Sequence, residues 1–172
     1  NIVDENKLTE AIFESEVKMA FDKASEYLGI RMHTKKELFD KLLKKGYEKD
    51  VISRAIEKLE EYHYVDDSLF AKQFLMQNSN YSKRMIENKL KQKGVTSEIV
   101  SKTTEIRDDG DEFALCKKLA EKYAKSKDLS KENAVQKMYA SLIRKGFSFE
   151  NVKKATNEVL KSLDIEDIED FD

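Results

Sequence analysis

One helix ending occurs three times in this chain, and it constrains the fold more than any other feature. It is seen in 38–47 (LFDKLLKKGY), 86–95 (IENKLKQKGV) and 138–147 (MYASLIRKGF). Each copy has an apolar residue and a second one four positions later. Lys and Gly follow three and four residues beyond that, and an apolar residue comes after the Gly. An acid stands four residues past each glycine, at Asp50, Glu98 and Glu150. The glycines Gly46, Gly94 and Gly146 are 48 and 52 residues apart. A repeat of that period reads as a stack of supersecondary units, each too small to bury its own apolar face.

Each part of the repeat has a physical meaning. Apolar residues at i and i+4 share one helix face. A Gly after the last turn takes the left-handed position in which a Cβ is strained. The Lys before it meets the negative end of the helix dipole, and the later acid falls in the first turn of the next helix. Every copy therefore spells helix, glycine stop, short turn, helix: a helix-turn-helix element, three times over.

Composition supports an all-helical reading. The 172 residues include no proline and only five glycines, which leaves few of the residues that β-turns need. One cysteine, Cys116, rules out an internal disulfide and fits a reducing cytosol. No apolar run approaches the roughly 20 residues of a membrane span, and the amino end, starting at Asn1, has no signal-peptide pattern. The sequence reads as a fragment or processed form of something longer. Its net charge of −2 hides an asymmetry. Residues 1–17 hold five acids against Lys7, and 164–172 hold six acids and no base. Between these ends, 31 basic residues face 23 acidic ones, a net of +8. A basic body suits a polyanion or an acidic protein surface.

Periodicity predicts a first helix over 14–29 with Val17, Ala20, Phe21 and Ala24 inward. Thr34 and Glu37 form a capping box for a second helix ending at Lys45. A third covers 49–62, and Asp66 or Asp67 caps a fourth. After a polar break at 78–82, helices follow over 83–93 and from Ser97. A turn over 108–112 leads to helix seven, helix eight covers 131–145, and helix nine starts near 149. The expected architecture is all-α: three tandem three-helix repeats over 17–65, 66–107 and 108–163, forming an elongated curved rod. An amino-terminal segment (1–16) and an acidic tail (164–172) flank them. The tail is expected to be the frayed end of helix nine; the alternative is a segment that docks onto the basic body or a partner.

The stretch 59–74 (LEEYHYVDDSLFAKQF) resembles the strongest signature of the RecX family. That signature has an apolar residue, acids, Tyr, an aliphatic residue, Asp-Asp, then Phe-Ala and Phe. Here those positions are Tyr64, Asp66, Asp67, Phe70, Ala71 and Phe74. The three Lys-Gly stops, and the stretch 136–149 with Gly146 and Phe147, are also similar to the family. The likeness covers about residues 24–160. This chain has His63 where members often have Gly, and Tyr81-Ser82-Lys83 where many have a Gly-Pro. The resemblance implies three tandem three-helix repeats and a regulator of the RecA recombinase. Such a protein binds along the groove of the RecA–DNA filament and limits its assembly, ATP hydrolysis and strand exchange. It is not itself an enzyme, and it also contacts DNA.

The residues themselves point away from catalysis. His33 and His63 are 30 positions apart with no cysteine close by, and Cys116 lies on an apolar helix face. Asp66-Asp67 reads as a helix cap and Glu60-Glu61 as a solvated face. The run 108–112 lacks the spacing of a calcium loop, and there is no glycine loop to cradle phosphate. No metal, cofactor or small-molecule substrate is therefore expected.

Candidate binding residues for a recombinase filament or for DNA phosphates are Lys41, Lys44, Lys45, Lys83, Arg84, Lys89, Lys91, Lys93, Arg144 and Lys145. Stacked repeats would align these helix ends into a basic stripe. Lys45, Lys93 and Lys145 have a competing use at helix C-termini. A helix-turn-helix normally reads bases through its second helix, and 96–106 offers only Lys102 as a base. Contacts to single- or double-stranded DNA are accordingly expected at the backbone. The expected protein is a cytoplasmic monomer without a membrane segment. Its alternatives are a non-sequence-specific DNA-binding repeat protein with no recombinase target, and a scaffold that holds peptides in a solenoid groove.

Overall fold

The computed structural model describes residues 1–163, and the acidic tail lies outside them. Among the described residues there are nine α-helices and no strands. They are α1 (Ile2–Ile30), α2 (Lys35–Lys44), α3 (Lys49–Glu61), α4 (Asp67–Gln77), α5 (Lys83–Gln92), α6 (Ser97–Thr104), α7 (Asp109–Ser126), α8 (Ala134–Arg144) and α9 (Phe149–Ser162). None of these helices is long and apolar enough to cross a membrane.

The described residues divide into two compact units: 1–74 with 90–100, and 75–89 with 101–163. In the first, α1 packs on α3, and both pack on α2. Its core holds Ala20 and Ala24 of α1, Leu38 and Leu42 of α2, and Ile52, Ala55 and Leu59 of α3, all fully buried. The two alanines, one turn apart, let α3 approach the α1 backbone closely. The second unit repeats this arrangement with α7, α8 and α9. Cys116 and Ala120 take the small-residue places; Met138, Leu142, Val152, Ala155 and Val159 take the others. The last five lie 100 positions beyond Leu38, Leu42, Ile52, Ala55 and Leu59, so the repeat read from the sequence is also a repeat of core positions.

The three glycine stops adopt the left-handed conformation, with φ of 94°, 83° and 90° at Gly46, Gly94 and Gly146. At the first, Gly46 N–H donates to the Leu43 carbonyl and Tyr47 N–H to the Leu42 carbonyl, closing the helix end in a Schellman arrangement. Gly94 and Val95 do the same on Lys91 and Leu90. Two of the glycines answer a second demand. A Cβ on Gly94 would lie 2.4 Å from Lys36 Cβ, and one on Gly146 would lie 2.6 Å from Met85 Cβ and Ser82 Oγ, whereas Gly46 faces open space. At both crowded ends the start of another repeat's second helix is seated. Thr34 Oγ1 donates to the Lys93 carbonyl at 2.6 Å, and Ser82 N–H donates to the Lys145 carbonyl at 2.9 Å.

Three boundaries differ from the sequence reading. Helix α1 begins at Ile2, not near 14. Nothing in 1–13 breaks a helix, Asp4 and Glu5 suit its first turn, and Lys58 Nζ pairs with Glu14 at 3.2 Å. The 108–112 run is mostly helix: Asp108 caps α7 by accepting from Asp111 N–H at 2.8 Å. Helix α8 starts three residues late, after Asn133 at φ 62°.

Candidate nucleic-acid and partner interface

The signature acids turn out to divide their work. Asp66 caps its own helix, accepting from Leu69 N–H at 3.0 Å. Asp67 is buried and reaches a different helix: its carboxylate accepts from Lys35 N–H, the first residue of α2, at 3.0 Å. Glu112 plays the same part in the second unit, accepting at 3.0 Å from Lys83 N–H at the start of α5. Burial pushes both carboxyls above their ordinary range, against the pull of these N–H donors. Either way, the first helix of one repeat satisfies an orphan N–H of the preceding repeat's second helix. Phe70 and Ala71 are buried, Phe74 is half-buried, and Phe147 is buried. Tyr64 is exposed and stacks on Tyr62 with ring centroids 5.9 Å apart.

Of the ten candidate cations, five are exposed and free of ion pairs among the described residues: Lys44, Lys45, Arg84, Lys91 and Arg144. The other five are engaged. Lys41 Nζ lies 4.5 Å from the Tyr27 ring centroid. Lys83 Nζ donates to the Arg107 carbonyl at 3.1 Å. Lys93 Nζ pairs with Glu37 at 2.9 Å. Lys89 and Lys145 meet at one ring, their ammonium groups 5.4 and 5.5 Å from the Tyr81 centroid.

Glu37 was visible in the sequence only as half of a capping box, and that box forms: Glu37 N–H donates to Thr34 Oγ1 and Thr34 N–H to the Glu37 carboxylate. The same carboxylate also takes Arg31 at 3.1 Å and Lys93 at 2.9 Å. Burial alone would raise its pKa; the donors outweigh it and hold the group at about 2. Long-range pairing of this kind has no sequence signal, because 56 residues separate the partners.

Groups with catalytic potential are quiet. Cys116 is fully buried, and burial pushes its thiol up to about 11. Among the described residues no three His, Cys, Asp or Glu side chains gather as a metal site.

The geometry defines an all-helical repeat protein in which the helix end of one three-helix repeat seats the start of the preceding repeat's second helix, with exposed cations beside the glycine stops. Known proteins name the class. The sequence pattern of the first three-helix domain of RecX matches residues 20–59, and that of the third matches 110–156. The regulatory protein RecX of Caldanaerobacter subterraneus subsp. tengcongensis is 36% identical over 145 residues, 83% of this chain and 71% of that protein. Its counterpart in Bacillus licheniformis is 32% identical over 160 residues, 91% of this chain. Against that relative the chain spans 61% of the length. The crystal structure of RecX from Lactobacillus salivarius superposes with a TM-score of 0.61 at 25% identity, covering 85% of this chain and 97% of that one. The chain belongs to the RecX family.

Proposed function

We propose that the chain is a negative regulator of homologous recombination and repair: it binds the filament that RecA forms on DNA and limits filament assembly, ATP hydrolysis and strand exchange. One observation carries the reading. The family likeness runs through both outer three-helix domains and reaches 36% identity with a named RecX regulatory protein.

The distribution of charge supplies a mechanism. Lys44, Lys45, Lys91 and Arg144 stand at or beside glycine-stopped helix ends, exposed and without carboxylate partners among the described residues. Cations so placed can meet DNA phosphates or acidic side chains without first breaking an internal pair. A protein lying across neighbouring recombinase subunits and touching the DNA backbone would oppose addition of further subunits. Base-specific readout through α6 does not fit, since Lys102 is its one basic residue. In this reading the protein is a cytoplasmic monomer with no cofactor and no reaction of its own.

The test is ATP hydrolysis by RecA on single-stranded DNA, titrated with this protein, beside a titration onto DNA alone. Inhibition at substoichiometric protein is expected. Unchanged hydrolysis at saturation refutes the reading, and clear DNA binding in that case moves the chain to the class of plain DNA-binding repeat proteins.

A further inference from the structure

The second unit contains cations of two kinds. Lys117 is paired with Glu158 at 2.9 Å, and Lys83 is tied to the Arg107 carbonyl. Lys89, Lys122 and Lys145 have no carboxylate partner among the described residues, although their unit is rich in acids. Two of them gather at Tyr81, within 5.4 and 5.5 Å of its ring centroid. Lys145 also joins Lys122 at the rim of a cavity of about 210 Å³ between α7 and α8, with Asn80 closing one side.

The lining of this cavity is chemically divided. Leu119 and Tyr123 give it apolar walls above the buried Met138 and Leu142, Ser126 and Ser141 add hydroxyl groups, and no Asp or Glu lines it. At Tyr27, in the other unit, Lys23 also lies over a tyrosine ring but is paired with Glu26 at 2.6 Å. The cleft beside Lys122 keeps its positive charge uncompensated. An inorganic anion would use the lysines and waste the apolar walls; an apolar side chain would use the walls and leave the ammonium groups idle. A flat apolar ring carrying an adjacent phosphate uses both. The volume admits one ring system and is smaller than the pockets that hold drug-sized ligands.

We propose that this cleft takes a single unstacked nucleotide of a single-stranded nucleic acid. The base lies against Leu119 and Tyr123, and its phosphate is held by Lys122 and Lys145, with Lys89 and Tyr81 along the path of the strand. A base in a duplex cannot enter without leaving its stack and its partner, so the cleft favours single strands over duplex. The inference rests on the reading that the protein touches nucleic acid, and adds to it a place and a strand preference.

The experiment measures anisotropy of a labelled oligothymidine and of a labelled duplex of equal length, bound to three variants of the full chain. Ser141→Phe fills the cleft and leaves every charge in place. Lys122→Glu reverses the rim at an exposed position. Lys91→Glu alters an exposed cation that does not line the cleft. Helicity and thermal midpoint are recorded for each. Ser141→Phe and Lys122→Glu are expected to weaken oligothymidine binding by about tenfold, the scale of one lost base-stacking contact. Ser141→Phe should leave duplex binding unchanged, and Lys91→Glu should weaken both ligands by the same small factor. If both ligands bind and Ser141→Phe holds oligothymidine like the parent, or loses duplex equally, the cleft is overturned and backbone contact stands. If the parent binds neither ligand, the reading of nucleic-acid contact fails and the cleft with it. Should Ser141→Phe fail to fold, Lys122→Glu decides: an equal loss for both ligands, or none, overturns the proposal.

Discussion

Replacing Glu37 with Gln tests how the first unit is held together. The carboxylate joins the exit of α1 through Arg31, the N-cap of α2 through Thr34, and the end of α5 through Lys93. Gln keeps the shape and removes the charge. A carboxyl held at about 2, against an ordinary 4.5, corresponds to at most about 3 kcal/mol of stabilisation. With 18% of the side chain exposed, solvent screening reduces this to about 1–2 kcal/mol. Counting bonds gives a similar figure: two partly exposed ion pairs at about 0.5 kcal/mol each and half a capping box at about 0.5 kcal/mol. For a chain of this size the thermal midpoint should drop by about 2–8 °C. The pH dependence is diagnostic. Because the folded pKa lies below the unfolded one, the contribution is fully present above pH 4.5 and fades as pH falls toward 2. Asp67 and Glu112, whose carboxyls are raised by burial, bend the parent's profile the opposite way. The quantity to measure is therefore the parent-minus-variant difference in unfolding free energy from pH 7 to pH 3. A difference that stays constant across that range would refute the reasoning, since it would mean that the charge of Glu37 does no work.

Gly46→Ala should cost about 1–2 kcal/mol for the left-handed backbone alone. Gly94→Ala carries the same strain plus a Cβ only 2.4 Å from Lys36 Cβ, so urea unfolding should show it clearly more destabilised than Gly46→Ala; equal losses would mean that the helix seat at Gly94 is not there. His33 is buried with Nε2 unpartnered, and burial pushes its imidazole below the ordinary 6.5. The unfolded chain therefore takes up a proton below pH 6.5 that the folded one resists, and stability should fall from pH 6.5 toward 5. A His33→Asn variant should show a shallower slope in that window, and an identical slope would contradict the assignment. Lys91→Ala and Lys93→Ala form a contrasting pair two residues apart: the first should weaken RecA inhibition at unchanged thermal midpoint, and the second should lower the midpoint because Glu37 loses its partner.

The fold was legible because its signals are local. A glycine stop, a capping box and an i, i+4 apolar pair each act within one or two turns, and so α2, α3, α5 and α9 lie where the periodicity puts them. The misses have local causes too. Residues 2–12 bring no apolar side chain to the core, since Ile2, Val3, Leu8 and Ile12 are all exposed and Phe13 is the first to pack against it, so periodicity gave little reason to extend α1. Gly110 read as a turn residue, yet it sits in the first helical turn, where no intrahelical partner is lost. The candidate site was less legible because it depends on distant partners. The sequence marks Asp66 and Asp67 as equivalent caps; only the fold separates a cap of the residue's own helix from a cap of another, 32 positions back. Lys122 and Tyr81 carry no motif, and nothing in a linear reading brings them to the same region as Lys145.

The same distinction governs how the basic composition should be understood. A net charge of +8 over residues 18–163 invites a picture of a uniformly attractive body. The folded chain sorts those charges by what lies opposite. Lys93 follows Lys91 by two residues, so the two leave the end of α5 on different sides, and one meets Glu37 while the other meets solvent. Lys145 and Arg144 are adjacent, and one lies over Tyr81 while the other is exposed. A cation already paired with a half-buried carboxylate such as Glu37 can reach a phosphate only by giving up the first partner, which forfeits stability gained in folding. One over an aromatic ring has no carboxylate to give up and remains available to an anion. Among the ten candidate cations, those left open to an anion are therefore Lys44, Lys45, Arg84, Lys91 and Arg144, together with the ring-held pair at Tyr81. In the proposed reading, net charge would bring a polyanionic partner close and this sorting would decide where it binds.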